Sequence, residues 1–277
     1  DNGTLDLVLG NGTSVSGTTL ATSVGGDLTL TSGAATGITD YGDDTVTVGG
    51  ELIAITDANS GVINLGTTTV GGTITLVTDG TGDATLDNGT TDIVIGTSTT
   101  LSTATNVGGD LTLISGAAAG ITDSATVTVG GNLTATTDAN NGVINLDTLA
   151  VTGNFTLTTH GTGSATIDNG TADIDILLAS IGGALTLTSG AATGIFDSGT
   201  VTVGGNLSAT TDANNGVITL DNLAVDTDGG STIAFAPHGS GNVTIVNDDG
   251  INFAASTVGG NLTTDDTNAL NVGETIT

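Results

Sequence analysis

The sequence predicts an all-β protein wound as a parallel β-helix, a β-solenoid of about 20–22 residues per coil. Three observations carry this reading: a strand-forming composition, a short internal period, and glycine pairs at regular corners. Val, Ile and Thr are plentiful strand formers, while helix formers other than Ala and Leu are nearly missing. Apolar residues make up 36% of the chain and aromatics 2%, so a thin aliphatic core is expected rather than disorder.

The repeats come in three types. The first reads Val24-Gly-Gly-Asp-Leu-Thr-Leu-Thr-Ser-Gly-Ala-Ala-Thr-Gly-Ile-Thr-Asp40 and recurs at Val107–Asp123 and Ile181–Asp197. The second runs from Val48 to Leu65 and recurs at Val129–Leu146 and Val203–Leu220. The third contains Asp83-Ala-Thr-Leu-Asp-Asn-Gly-Thr-Thr-Asp-Ile-Val-Ile95, with copies at Ser164–Ile176 and, more loosely, Asn242–Phe253. From Val107 to Val129 to Val151 the spacing is 22, but every third interval is longer: 37 from Val70 to Val107 and 30 from Val151 to Ile181. The long intervals read either as one coil with an insertion or as nearly two coils. At about 4.8 Å per coil, roughly 12–14 coils would give a single rod about 60–65 Å long over residues 1–277.

Each element follows from its local pattern. In Asn132-Leu-Thr-Ala-Thr136, Leu133 and Ala135 share one face while Thr134 and Thr136 share the other. Ile144 and Leu146 likewise share a face. The Gly-Gly pairs and the Asn-Gly and Asp-Gly steps supply backbone corners with positive φ. The lone Pro237 does not interrupt the pattern. A right-handed coil is expected, that being the usual crossover hand.

The chain starts and stops in mid-repeat. Gly273-Glu-Thr-Ile-Thr277 followed by Asp1-Asn-Gly-Thr-Leu-Asp-Leu-Val-Leu-Gly10 reads as a third-type motif, like Gly82–Gly96 and Gly163–Leu177. Two readings follow: separate subunits stacked head to tail, or one period of a much longer chain. In the first, the interface residues are Asp1, Asn2, Leu5, Leu7 and Leu9 at one end and Leu270, Val272, Ile276 and Thr277 at the other. Such a heterologous contact propagates as an open filament.

Charge narrows the function. There are 29 Asp+Glu and no Lys or Arg, for a formal charge of −29. Without a fixed cation the chain has nothing to neutralise nucleic-acid phosphates or anionic lipid, or to clamp a phosphorylated substrate. The absence of Cys removes disulfides and thiolate chemistry. No apolar run approaches a membrane span, and no signal peptide opens the chain.

The Val-Gly-Gly-Asn-Leu-Thr coils, as at Val129–Thr136, Val203–Thr210 and Val258–Thr263, resemble the β-solenoid repeats of large secreted bacterial adhesins of the filamentous-haemagglutinin-like kind. The resemblance covers essentially the whole chain. It implies export to the cell surface or beyond, matrix building or adhesion, contact with surface or matrix polysaccharide, and no enzymatic activity.

Calcium is the first candidate ligand, since Asp and Asn oxygens at Gly turns suit a hard cation. The best local clusters are Asp226 with Asp228, Asp248 with Asp249, Asp43 with Asp44, and Asp265 with Asp266. The competing reading is that these carboxylates cap backbone amides at solvated turns. His160 and His238 occupy turns where the first super-repeat has Asp79, and are expected to be polar corner residues. Thr-x-Thr pairs such as Thr134/Thr136 could order water as an ice-binding face, or serve simply as outward strand residues. Nine Asn-x-Ser/Thr sequons begin at Asn2, Asn11, Asn88, Asn132, Asn154, Asn169, Asn206, Asn242 and Asn261. A carboxylate-based polysaccharide enzyme would need a cleft on long loops, and the repeats show no long irregular insertion. The expectation is a structural subunit of an extracellular fibre; a stalk segment of one giant adhesin is the alternative.

Overall fold

The structure, a computed structural model, describes residues 2–10, 22–40, 42, 44–265, 270–272 and 276. Among them there is no helix, and parallel strands stack as a β-solenoid of about 11 coils. That is fewer than the roughly 12–14 expected from a ~20-residue coil. Some coils run long: Ala84 lies beside Leu111, and Leu207 beside Ile233. The chain divides into two compact units, Asp1–Gly142 and Val143–Thr277.

In the first unit, one sheet stacks Leu7–Leu9, Ile38–Asp40, Ile63–Leu65, Ala84–Asp87, Leu111–Ser115 and Leu133–Thr137. A second sheet stacks Leu28–Ser32, Leu52–Thr56 and Ile74–Val77, then Ile93–Ile95 and Asn106–Val107 side by side, then Ile121–Asp123 and Val127–Val129. A third, of three strands, is Thr22–Val24, Val46–Val48 and Thr68–Val70. The second unit has two sheets. One stacks Phe155–Thr158, Ile174–Ile181, Ile195–Val203, Ile218–Val225, Val243–Asn247 and Leu262–Asp265. The other stacks Ile144–Leu146, Ala165–Asp168, Leu185–Ser189, Leu207–Thr211, Ile233–Ala236, Ile251–Phe253 and Leu270–Val272.

The register explains why no aromatic core is needed. Leu111 lies beside Leu133 and Leu113 beside Ala135, while Thr112 lies beside Thr134 on the outer face. Leu111, Leu113, Leu133 and Ala135 are fully buried. Ile144 and Leu146 are buried on one face, as their spacing predicts. Identical positions of successive coils therefore form aliphatic columns, each side chain packed on its own kind above and below. In the second unit Phe235 and Phe253 add an edge-to-face pair with centroids 5.7 Å apart.

Each ordinary coil has a short side, such as Leu52–Thr56, and a long side, such as Ile63–Leu65 with Thr68–Val70. The third-type motif breaks this alternation by placing two short strands in succession, Ile74–Val77 and Ala84–Asp87. It thus adds half a coil, and the long side changes faces. Before it, the first-type strand Leu28–Ser32 lies in the second sheet; after it, the copy Leu111–Ser115 lies in the first. The second unit does the same twice, at Phe155–Thr158 followed by Ala165–Asp168, and at Ile233–Ala236 followed by Val243–Asn247. The interval of 30 between Val151 and Ile181 is a coil and a half. The interval of 37 is the same unit carrying a loop from Gly96 to Thr105. This corrects the expectation that the repeats hold no long insertion.

Candidate functional site

At each change of face a short strand stacks on a long side and leaves part of it bare. Ala84–Leu86 pairs with Ile63–Leu65, but no strand follows over Thr68–Val70. The buried side chain of Asn88 takes that place. Its Oδ1 accepts the Val70 N–H at 2.8 Å, and its Nδ2 donates to the carbonyls of Val70 at 3.2 Å and Asp92 at 2.7 Å. Thr68 Oγ1 donates to the Asp87 carbonyl at 2.7 Å. Asn169 repeats the arrangement on Val151 with bonds of 2.8 and 3.0 Å, and Asn247 on Val225 with 2.8 and 3.2 Å. A carboxamide has the donor and acceptor of a peptide group, so one side chain continues the ladder where the backbone has left it. Sequence reasoning read Asn88 and Asn169 as corners and sequons, and did not single out Asn247. The structure shows Asn88 and Asn169 buried with both amide ends engaged, so neither presents an acceptor for a sugar.

The carboxylates are held by backbone amides. The Gly-Gly pairs Gly25/Gly26, Gly49/Gly50 and Gly130/Gly131 do not have positive φ, contrary to expectation. At the residue after the corner glycine, Asp27 Oδ1 accepts the N–H of Glu51 at 2.9 Å, and Asp83 Oδ1 that of Asp110 at 2.8 Å. Asp110 Oδ1 in turn accepts the N–H of Asn132 at 2.7 Å. In the second unit the same rung is filled by Ser164 to Ala184, Asn206 to Thr232 and Asn242 to Asn261. Charge is thus optional at this position, and an acceptor oxygen is what the backbone requires. Asp87 and Asp168 accept the N–H groups of Gly89 and Gly170, each at 2.8 Å. Amide dipoles stand in for the cations the sequence lacks.

Buried threonines close the other corners. Thr56, Thr137 and Thr211 donate to the carbonyls of Gly61, Gly142 and Gly216, five residues on, at 2.7, 2.8 and 2.9 Å. Thr78 and Thr159 donate to Gly82 and Gly163 at 2.7 Å. Thr211 Oγ1 also accepts the N–H of His238 at 2.8 Å. His238 Nδ1 accepts the N–H of Asn215 at 3.3 Å, and Asp79 Oδ2 accepts that of Ser60 at 3.2 Å. Asn215 and Ser60 are matching residues with φ of 52° and 51°. His and Asp therefore do one job in equivalent corners, as the sequence predicts.

Four of the proposed calcium residues, Asp226, Asp228, Asp248 and Asp249, fall into one pair of neighbouring turns. Asp226 Oδ1 accepts the Gly229 N–H at 2.8 Å, and Thr227 Oγ1 donates to the Asp249 carbonyl at 3.0 Å. The Asp226–Gly230 turn thus stacks beside Asp248–Gly250, with Asp228, Asp248 and Asp249 exposed. Asp44 is buried. Asp43 and Asp266 lie outside the described residues. Among the described residues no group of three or more His, Asp or Glu is placed to hold one metal ion.

Two carboxyls are shifted. Burial raises Asp197 above the ordinary range, against the lowering by N–H bonds from Asp221 and Asn222, both 3.0 Å, while the charge of Asp221 adds to the rise. Glu51 is lowered to about 2, first by the Thr99 hydroxyl, against desolvation, which raises it and ranks next, and then by Ser98 and the Thr99 and Thr100 amides. Its carboxylate accepts Ser98 Oγ at 3.0 Å, Thr99 N at 3.2 Å and Thr100 N at 3.4 Å.

Among the described residues, the expected interface positions fall on the first strand of the first unit and the last strand of the second. Leu7–Leu9 pairs with Ile38–Asp40, and among the described residues with no other strand. Leu5 is 68% exposed and Val8 49%, with Leu7, Leu9 and Asn2 half-buried. In the second unit the backbone of Leu270–Val272 pairs with Ile251–Phe253, and Ile276 bridges to Ser256. Asp1 and Thr277 lie outside the described residues. The outward threonines form a short column, Thr85, Thr112 and Thr134, that gives way to Asn64. No described helix is long and apolar enough to cross a membrane. Comparison of the chain with family models, with curated proteins and with solved structures finds no match.

Proposed function

We propose that the chain is a structural segment of an extracellular fibre, lengthened by further copies of itself and serving adhesion or a biofilm matrix, with no catalytic role. The observation that carries the reading is the strand Leu7–Leu9, paired on one side only among the described residues and carrying Val8 and, just before it, Leu5, the most exposed large apolar residues described. An edge of that kind is a template for another strand. The adhesive setting rests on the resemblance of the coils to secreted adhesin repeats. Polysaccharide at the cell surface or in the matrix is the proposed partner.

An all-acidic side wall fits the same role. Neighbouring rods repel sideways, while ends pair through backbone and apolar groups. Calcium enters as a counter-ion along this wall, and bundling should rise with salt or Ca²⁺.

The tests are assembly of the purified chain and, separately, the mass after denaturation of the fibre taken from its source. Fibres that dissolve to a 26.5 kDa species support subunits. A much larger species supports the second reading, a stalk within one giant chain. A chain that stays monomeric at all concentrations and salts overturns the fibre. Chelation that alters neither fibre length nor melting removes calcium.

A further inference from the structure

The loop from Gly96 to Thr105 stands where the long side first stacks on a short strand. Ile95 lies beside Ile74 and Asn106 beside Val77, so the loop leaves and rejoins the sheet across Thr75 and Leu76. Its mouth is pinned. The Gly96 carbonyl accepts Thr105 Oγ1 at 2.9 Å and Thr75 Oγ1 at 3.1 Å, and Thr105 Oγ1 accepts the Leu76 N–H at 3.2 Å.

From there the loop turns back along the sheet. Ser98, Thr99 and Thr100 deliver two hydroxyls and two amides to Glu51, and Thr100 Oγ1 reaches Asp27 Oδ2 at 3.5 Å. Ser98 braces the turn, accepting the N–H groups of Thr100 and Leu101 at 3.1 Å. Between the two anchors lie Ile53 and Thr75, adjacent in register. Both alternate with inward residues and so point out of the coil, yet both are 0% exposed. The corresponding residues Thr134 and Ser208 are half-buried and polar.

The super-repeats make an internal control. Glu51 is replaced by Asn132 and Asn206 in the other second-type motifs. Where the loop stands, the next copy has a one-residue bulge at Leu177, between Phe155/Ile176 and Thr156/Leu178. The loop, its carboxylate anchor and an apolar outward residue beneath it occur together in one super-repeat.

We infer that residues Gly96–Thr105 form a strap, locked by the Glu51 carboxylate over an outer sheet face, that closes on Ile53 and opens without unwinding the coils beneath. Opening would expose Ile53 beside Leu101, which is already 47% exposed at the tip. The strap is an added layer on the scaffold, and the coils do not need it. The charged group facing Glu51 is Asp27; the loop itself has no titratable residue.

The experiment uses the full chain with Glu51→Asn, Glu51→Gln and Ile53→Thr, read by amide exchange at Thr99 and Thr100 and by broad-specificity proteolysis. Loop exchange and cleavage should accelerate by at least about tenfold in both Glu51 variants, the scale of one charge-assisted bond. Ile53→Thr should accelerate them less, and the amides of Leu52–Thr56 should stay protected in all three. A second chain, with Thr97–Ala104 removed and Gly96 joined to Thr105, should keep its coils and be indifferent to Glu51→Asn. Unchanged loop protection in Glu51→Gln overturns the lock. Equal damage by Glu51→Asn with and without the loop, or unwinding on excision, overturns the strap.

Discussion

The changes of face at Asn88 and at Asn169 perform one topological step with different accessories. Both stack a short strand on a long side, and both fill the gap with a buried carboxamide bonded to a valine backbone. The first then throws out a loop from Gly96 to Thr105, while the second accommodates the same mismatch with Leu177 alone. The asparagine is therefore what the step requires, and the length of the bulge is free. A long side laid on a short strand must bulge somewhere, and the outer face imposes no limit on how far. At these two steps the scaffold is constant and the variation lies in the bulge.

The largest effect should come from the apolar columns under the two steps. Leu86→Asp and Ile167→Asp each put an unpaired charge at a fully buried position. Each should cost more than about 4 kcal/mol and unwind its unit in thermal melts. Tolerance at one site and collapse at the other would mean the two steps are not equivalent.

Next come the asparagines. Asn88→Leu and Asn169→Leu leave a valine N–H and C=O without partners at buried positions. Each should destabilise by about 3 kcal/mol, with the two values alike, by denaturant melts. Asn88→Asp should not restore the loss, since a carboxylate cannot donate to the Val70 carbonyl.

A smaller loss is expected from the threonines that close the preceding corners. Thr78→Val and Thr159→Val each remove a donated bond of 2.7 Å and the bond accepted from Gly108 or Gly182, and should cost about 1–2 kcal/mol. Grafting the Gly96–Thr105 segment at Leu177 should change melting by less than about 1 kcal/mol, because closing a longer loop costs little. The grafted loop should stay open to protease, for it lacks a partner glutamate.

The last difference is in pH. Glu51 is lowered from 4.5 to about 2. A depressed carboxyl stabilises fully above its unfolded value and loses that hold as pH falls through the folded one. Loop protection should thus persist near pH 3 and fade toward pH 2, whereas the Leu177 bulge should show no such step. Release of the loop between pH 4 and 5 would contradict the Glu51 geometry.

Much of this was legible in the residues. Alternation in Leu133–Thr137 and Ile144–Leu146 reports inward and outward faces because a solenoid strand has a fixed period and one buried side. The 22-residue spacing reports the coil because equal coils must stack in register. The exchange of Asp79 for His238 reports a corner acceptor, since only an oxygen or nitrogen lone pair is needed there. The buried role of Asn88 was not legible. Asn-Gly is a common turn signal, and its side chain found work only because a neighbouring coil lacked a strand. Glu51 gave a faint signal as a glutamate where its copies have asparagine, but its partners lie 47–49 residues on.

The sequence by itself determined the β-solenoid, its period, the inward columns and the absence of any cationic group. Those follow from local pattern and composition, which a repeating coil merely copies. The tertiary structure decided the half-coil steps, the carboxamides that seal them and the strap over Ile53. Each depends on which strand lies beside which in the next coil. That adjacency appears only when coils of unequal sides are stacked and each buried N–H and C=O must find a partner.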